Sequence, residues 1–181
     1  MKTTQNILLG LVLIFNSLPA VAQIGPDGTG NVNGYQIGPN ADLNNAQFWN
    51  VSLNGANLSG ANLSDASFGN VTFNGTNLTG ADLSNTYFQN DIEFGDANLG
   101  GANLEGVRSD GGKITGSPVL PAGWLLRSGY LMGASADLSH EYLTNAALSD
   151  VDLSDADLTG IKSGGITGTP SALPTGWVLI G

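Results

Sequence analysis

The sequence predicts an all-β solenoid whose chain coils through four sides, with about 20 residues per turn. Between residues 41 and 106 a leucine or phenylalanine recurs at every fifth position, with one added residue at Asp91. The same stretch also matches itself at a spacing of twenty residues. A five-residue period is neither the period of a strand nor that of a helix, so it indicates a repeat architecture. The recurring residues are Leu43, Phe48, Leu53, Leu58, Leu63, Phe68, Phe73, Leu78, Leu83, Phe88, Phe94, Leu99 and Leu104.

The twenty-residue spacing assigns these residues to columns. Phe48, Phe68 and Phe88 fall in one column, which predicts that their rings stack from turn to turn. Asn50, Asn70 and Asn90 share another column, which predicts an amide ladder. Glycine recurs where the chain has to turn a corner. We therefore expect the Leu or Phe, and the small residue two positions before it, to point inward and the other positions to face water.

Residues 1–22 are predicted to be a signal peptide. Lys2 supplies a positive start, residues 7–15 form a short apolar run, and residues 20–22 (AVA) match a small-residue cleavage site. The alternative is an uncleaved membrane anchor, although the run is too short to span a bilayer comfortably. We expect the mature chain to begin near Gln23 and to be exported, to the periplasm or the extracellular space. Loss of Lys2 changes the net charge from −10 to −11.

The chain also contains a larger repeat of two modules. Each module has an opening motif, at residues 34–38 (GYQIG) and 129–133 (GYLMG). Each ends in a spacer with Gly-Gly, Ile-Thr-Gly, Leu-Pro and Gly-Trp elements, at residues 111–124 and 164–177. The thirteen pentapeptides of the first module and five of the second predict about four and a half turns. The predicted organisation is a signal peptide (1–22), an N-terminal cap (23–40), a first repeat block (41–106), a spacer (107–135), a second block (136–160) and a C-terminal spacer or cap (161–181).

A solenoid needs cover at both ends, because an open edge invites further pairing. Residues 23–40 are expected to cap the first turn. Residues 123–133 (GWLLRSGYLMG) are expected to form strands that continue or flank the wall, with Trp124 packed on the interior. Residues 177–180 are expected to cover the last turn, and the alternative is that they form a homodimer contact. The added residue at Asp91 predicts a local bulge.

The A-[DN]-L-x-x pattern resembles the pentapeptide-repeat family. ANLSG at 56–60, ANLSD at 61–65 and ADLSN at 81–85 are close to the family consensus. The resemblance covers residues 41–106 and 136–160 and implies a right-handed quadrilateral β-helix. The two spacers resemble those of some longer exported members, and the resemblance implies no chemistry for them.

Composition and motifs argue against several kinds of site. Five Lys and Arg against fifteen Asp and Glu disfavour nucleic acid or an anionic membrane as a partner. The absence of cysteine removes disulfides, thiol nucleophiles and cysteine-based metal sites. His140, the sole histidine, occupies an outward position, and no orienting group or oxyanion site accompanies it. We therefore expect no catalytic activity and no cofactor.

The densest acidic cluster consists of Asp150, Asp152, Asp155 and Asp157. Its spacing matches neither an EF-hand loop nor the calcium-binding nonapeptide repeat. We expect a solvated acidic surface that limits aggregation. Calcium binding is the alternative, because carboxylate oxygens are the ligands that this ion prefers.

Aromatic residues at outward positions suggest a ligand-stacking surface. Trp49 and Tyr87 are predicted to lie on the same side, two turns apart, with Gly69 between them; Tyr142 is the third outward ring. A polar wall with exposed rings can stack on sugars. The alternative is that Trp49 lies under the N-terminal cap, since single exposed apolar residues are common on protein surfaces.

The expected function is that of an exported, non-enzymatic scaffold that presents polar walls to a protein or a polysaccharide, without contact to nucleic acid or, after signal cleavage, to a membrane. The resemblance implies one alternative, because some pentapeptide-repeat proteins act on type II topoisomerases as acidic mimics of duplex DNA. The acidic charge favours this alternative, whereas the signal peptide opposes it because gyrase is cytoplasmic. A second alternative, a secreted hydrolase, depends on His140 alone.

Overall fold

The computed structural model describes residues 23–110 and 113–179, so the predicted signal peptide lies outside the described part. Within that part the regular secondary structure consists of β-strands, and no helix is long and apolar enough to cross a membrane. The strands are Gln23–Ile24 (β1), Gly30–Val32 (β2), Tyr35–Ile37 (β3), Gln47–Trp49 (β4), Ser67–Thr72 (β5), Tyr87–Gly95 (β6), Arg108–Ser109 (β7), Ile114–Gly116 (β8), Leu125–Arg127 (β9), Tyr130–Met132 (β10), Tyr142–Thr144 (β11) and Lys162–Gly164 (β12).

Parallel pairing between successive turns confirms the predicted solenoid. The first turn pairs with the second at residues 42 and 62, 47 and 67, 52 and 72, and 57 and 77, which gives the coil four sides. One column of paired residues runs through six turns: Gln47, Ser67, Tyr87, Arg108, Asp137 and Asp157. The prediction of four and a half turns is therefore too low, because residues outside the pentapeptides also build the wall.

The corners explain the five-residue period. The last residue of each of the first five pentapeptides has a positive φ: 59° at Asn45, 54° at Asn50, 70° at Gly55, 65° at Gly60 and 59° at Asp65. Glycine adopts this left-handed conformation without steric cost, and Asn and Asp adopt it more readily than most residues. Each of these five pentapeptides therefore ends in a residue that lets the chain turn onto the next side.

The interior contains the predicted phenylalanine column. The ring centroids of Phe48 and Phe68 are 5.1 Å apart, and those of Phe68 and Phe88 are 5.3 Å apart, both pairs being stacked. All three side chains are buried. On the outside, the Asn70 amide donates to Asn50 Oδ1 at 2.9 Å, which confirms the predicted ladder.

The predicted bulge at Asp91 is also confirmed. Gly69 pairs with Gln89, but the next pair joins Val71 to Ile92, so β6 carries one residue more than β5 between these positions. The Asp91 N–H donates to Asn70 Oδ1 at 3.4 Å. The extra residue is absorbed locally, and the register of the solenoid continues beyond it.

The N-terminal segment closes the first turn. Strands β1, β2 and β3 form an antiparallel sheet that buries Val32 and Ile37 against the core. The Tyr35 ring lies 5.0 Å from Phe48, and its hydroxyl accepts the Gln47 N–H at 3.1 Å. The phenylalanine column therefore ends on a tyrosine, whose hydroxyl oxygen accepts a backbone N–H of β4, the first strand of the wall.

The spacer does not form an insertion over its whole length, contrary to the expectation for residues 107–135. Strands β7 and β8 both pair in parallel with β6, and Val119 pairs with Asn98. These residues build three sides of a further turn without the pentapeptide pattern. Among the described residues of the spacer, the antiparallel hairpin β9–β10 lies outside this regular coil, and the wall resumes where Arg108 pairs with Asp137.

The hairpin β9–β10 divides the core into two clusters. Leu126 and Leu131 pack against the first cluster, whereas Leu125, Tyr130 and Met132 belong with the second. Alternate residues of a strand point to opposite faces, so one thin layer can be apolar on both sides. As predicted, Trp124 packs on the interior, and it contacts both clusters.

Candidate functional site

Trp49 lies on the outer surface of β4, while its neighbour Phe48 points inward. The indole is 39% exposed and lies directly over Gly69, the residue paired with it in the next turn. A Cβ atom added to Gly69 would come within 2.2 Å of the ring atom Cζ3. The glycine therefore allows the indole to lie against the wall, with one face towards solvent.

Tyr87 lies on β6 in the same sheet, next to the column that contains Trp49. Its hydroxyl donates to Asp110 Oδ2 at 2.7 Å, and the Arg108 guanidinium lies 5.2 Å from the ring centroid. The register thus places Trp49 and Tyr87 on one side with Gly69 between them, and their role in stacking on a ligand remains a prediction. Burial, together with the hydrogen bond to Asp110 and the charge of that carboxylate, raises the pKa of Tyr87 to about 12.

We expect the Tyr87 environment to weaken the fold in strong alkali. The folded-state pKa of about 12 exceeds the ordinary value of 10.0, so this contribution to stability is complete below pH 10.0 and is lost as pH rises towards 12. Phenolate absorbance during a pH titration should show a transition that Tyr87→Phe removes. Asp110→Asn should move that transition to lower pH, and an unchanged titration in this variant would contradict the assignment.

An ion pair that the sequence interpretation missed connects the spacer to the second repeat block. Glu141 occupies an inward position where most pentapeptides have alanine, and it is 2% exposed. Its Oε1 atom lies 3.6 Å from Nε of Arg108. Arg108 Nε is itself buried and has no hydrogen-bond partner among the described residues. The departure from the alanine pattern at Glu141 was the one sequence signal that could have identified this pair.

Two tyrosines accompany this pair. The Tyr130 hydroxyl donates to the Tyr142 carbonyl oxygen at 3.0 Å, and burial followed by the charge of Glu141 raises the pKa of Tyr130. Tyr142 is 60% exposed, and its hydroxyl accepts from Lys162 Nζ at 2.9 Å. The same Lys162 nitrogen lies 4.7 Å from the ring centroid, so the third outward ring is engaged with a neighbouring turn.

His140 has a structural role at a corner. Its φ is 63°, a left-handed conformation in which histidine is more common than most residues. The exposed ring lies over Gly160 in the next turn, where an added Cβ would be 2.6 Å from Nδ1. Hydrogen bonds from Thr159, with a smaller contribution from the charge of His140, lower the pKa of Asp157. These contacts account for the histidine without a catalytic role.

Two of the four aspartates considered as calcium ligands accept hydrogen bonds from backbone groups in their own turns. Asp152 accepts the Ser154 N–H at 3.0 Å, and Asp157 accepts the Thr159 N–H at 2.8 Å. Asp150 forms a corner with a φ of 63°. Within residues 23–110 and 113–179, no three His, Cys, Asp or Glu side chains come together in a group that could hold a metal ion. Asp150, Asp152, Asp155 and Asp157 therefore do not form such a group.

The C-terminal end of the solenoid contains an open cavity of about 350 Å³. Its lining includes four core leucines of the second block, which are Leu143, Leu148, Leu153 and Leu158. Trp177 and Leu179 line it but are each 44% exposed, and Val178 is 73% exposed. The expectation that residues 177–180 cover the last turn stays a prediction, and Ile180 lies outside the described residues.

Comparison with known proteins identifies the repeat. The family model described as pentapeptide repeats matches in 8 copies, over residues 41–80, 66–90 and 134–162. The two blocks are therefore pentapeptide repeats, as their sequence pattern predicted. Proteins of this family are generally scaffolds without enzymatic activity, and no catalytic family is indicated. No curated protein sequence matches the chain.

Solved structures of pentapeptide-repeat proteins resemble it at low sequence identity. Rfr23 from the cyanobacterium Cyanothece 51142 is 23% identical, with 71% of this chain and 65% of that chain covered and a TM-score of 0.36. QnrB1, a plasmid-mediated fluoroquinolone resistance protein, is 16% identical, with coverages of 75% and 66% and a TM-score of 0.40. HetL from Nostoc sp. strain PCC 7120, involved in heterocyst differentiation regulation, is 24% identical, with coverages of 78% and 63% and a TM-score of 0.25. The chain thus covers just under two thirds of the length of each.

Proposed function

We propose that this protein is an exported, non-enzymatic scaffold that binds a polysaccharide along the wall containing Trp49 and Tyr87. The observation that carries the proposal is the indole of Trp49, held over Gly69 with 39% of its surface exposed. A sugar ring has an apolar face that can stack on an indole and hydroxyl groups that hydrogen-bond to amides. The Asn50–Asn70 ladder supplies such amides in the adjoining column.

The rigidity of the wall supports this proposal. Trp49 is fixed by a strand on one side and by the backbone of Gly69 beneath it, so little conformational freedom is lost when a ligand binds. Charged residues make up only 11% of the chain, so the outer surface is largely neutral and polar. These properties suit an uncharged polymer better than a strongly charged one.

Binding to immobilised cell-surface glycans tests the proposal. Trp49→Ala should lower affinity at least about fivefold, because stacking on one aromatic residue accounts for about 1 kcal/mol or more. Gly69→Ala should weaken binding as well, since its Cβ would force the indole off the wall. Tyr142→Ala is the matched control, because it removes an exposed ring from the second block. Equal binding by all four proteins, or no binding to any glycan, would contradict the proposal.

Export is part of the same proposal and depends on the predicted signal peptide. The mature protein should be recovered from the periplasm or the medium with an N-terminus near Gln23. Recovery of the uncleaved chain from the cytoplasm would exclude an extracellular polysaccharide as the ligand.

The acidic DNA mimic remains a second candidate, favoured by the net charge of −10. It predicts that the purified protein inhibits DNA supercoiling by gyrase at micromolar concentration. We expect no inhibition, because charged residues make up only 11% of the chain and the wall that carries Trp49 is largely neutral and polar. Inhibition that Trp49→Ala leaves unchanged would favour the mimic over the polysaccharide scaffold.

A further inference from the structure

The wall that carries Trp49 is uncharged in its first three turns and charged beyond them. Two columns of paired outward residues run along this side of the coil. In the first three turns the two columns consist of uncharged residues, which are Gln47, Trp49, Ser67, Gly69, Tyr87 and Gln89. The first column continues with three charged residues, Arg108, Asp137 and Asp157. A neutral ligand on this wall is therefore expected to bind along the first three turns.

The two aromatic rings of this wall lean in the same direction along the solenoid axis. The indole of Trp49 lies over Gly69, its partner in the second turn. The Tyr87 hydroxyl reaches Asp110, and its ring meets the guanidinium of Arg108, which is the partner of Tyr87 in the fourth turn. Because both rings shift by one turn, they remain two turns apart, which is about 10 Å at the usual separation of paired strands.

This spacing matches a polysaccharide with the extended β-linkage of cellulose. Each sugar of such a chain advances it by nearly the distance between adjacent turns of the coil, about 5 Å. Successive sugars are rotated by half a turn about the chain, so every second sugar presents the same apolar face to one side. Two rings that lie two turns apart therefore meet equivalent faces of alternate sugars. The α-linked chain of starch curves into a helix and cannot follow a straight wall in this way.

We propose that this wall recognises the cellulose-type linkage of a neutral polysaccharide that runs parallel to the solenoid axis. This inference rests on the proposed function and adds to it the class of polymer, the direction of the chain and the place of each sugar. One sugar stacks on Trp49, and the next but one stacks on Tyr87. The sugar between them lies over Gln89, whose side-chain amide can hydrogen-bond to its hydroxyl groups. The Arg108 guanidinium occupies one face of the Tyr87 ring, so the sugar stacks on the other face.

The charged part of the wall limits the length of chain that is bound. A further sugar would lie towards Asp137 and Asp157 in the fifth and sixth turns. Covering a carboxylate with a neutral sugar removes water from the charge and supplies no counter-charge in return. The bound segment is therefore three sugars long, and additional sugars contribute little to affinity.

Isothermal titration calorimetry of the purified protein with oligosaccharides of defined length tests the proposal. Cellotriose should bind at least about fivefold more tightly than cellobiose, because only the trisaccharide reaches both rings. Cellotetraose should bind within about threefold of cellotriose. Chitobiose and chitotriose form a second series with the same linkage and an acetamido substituent. Maltose and maltotriose are the α-linked controls and should show no gain in affinity with length.

Variants of the two aromatic residues separate stacking from a purely structural effect. Tyr87→Ala should remove the difference in affinity between the trisaccharide and the disaccharide, and Trp49→Ala should do the same. Tyr87→Phe is the matched control, because it loses only the hydroxyl that donates to Asp110 and keeps the ring. This variant should retain the difference between the two oligosaccharides.

The possible failures distinguish this inference from the proposed function. Suppose that Trp49→Ala weakens glycan binding but the trisaccharide and disaccharide of both β-linked series bind equally. The inference is then wrong and the proposed function stands. An equal gain with length in the α-linked series leads to the same conclusion, as does binding to another immobilised glycan without binding to either β-linked series. Absence of binding to any glycan contradicts both proposals.

Discussion

Replacing Phe68 with alanine is expected to lower the free energy of unfolding by about 3–5 kcal/mol. The Phe68 side chain is fully buried, and its ring contacts two stacked neighbours, Phe48 at 5.1 Å and Phe88 at 5.3 Å. Phe73 meets it edge to face at 5.2 Å. Truncation opens a cavity in the middle of the column. The turns above and below keep the walls in place, so the surrounding side chains cannot relax to fill the cavity. Denaturant unfolding followed by circular dichroism measures the loss.

Phe68→Leu is the matched control for this substitution. Leucine occupies the central inward position of most other pentapeptides, including Leu63 and Leu78 on other sides of the coil, so it is compatible with the pentapeptide backbone. The smaller volume change should reduce the loss to about 1.5 kcal/mol or less. A loss below about 1 kcal/mol for Phe68→Ala would contradict this prediction, because burial of one large apolar side chain alone contributes more than that.

Replacing Arg108 with alanine should lower the free energy of unfolding by about 3 kcal/mol. The substitution removes a positive charge that lies 3.6 Å from a carboxylate with a 3% exposed side chain. A buried carboxylate that loses its counter-charge is destabilising because water cannot replace the lost interaction. We place the expected loss in free energy of unfolding at the lower end of the range for buried ion pairs, because the Arg108 side chain is 37% exposed.

Glu141→Ala should destabilise the protein much less than Arg108→Ala. It restores the residue found at inward positions such as Ala46 and Ala61, and it leaves an arginine that can extend into solvent. Chemical denaturation of both single variants and the double variant forms a double-mutant cycle, in which Glu141→Ala should rescue most of the loss caused by Arg108→Ala. Equal losses for the two single variants would show that the pair contributes through packing rather than through the charge of Glu141.

The parts of the fold that depend on side-chain periodicity were predictable. The positions of Phe68 and Phe88, the bulge at Asp91 and the amide ladder at Asn50 depend on a spacing that can be counted along the chain. The turn built by residues 108–120 could not be predicted in the same way. It lacks the Leu or Phe every fifth residue, and only its pairing with β6 reveals it as wall.

The candidate sites were less accessible to sequence reasoning. Trp49 and Tyr87 could be assigned to one side by register, but the engagement of Tyr87 with Asp110 depends on the path of the spacer. The contact between Arg108 and Glu141 likewise requires knowledge of which turns are neighbours across the hairpin. The role of residues 177–179 at the last turn stays a prediction, since Trp177 lines the cavity there and is also 44% exposed.

The hairpin β9–β10 also determines how a protein of this kind can change in length. One face of the hairpin seals the module before it, and the other face starts the module after it. A duplicated module that carries its own hairpin brings both complementary surfaces with it, so neighbouring modules need no compensating substitutions. Recombination within the coding sequence can therefore add or delete whole modules. The number of turns can then change while the residues on the outer surface stay the same.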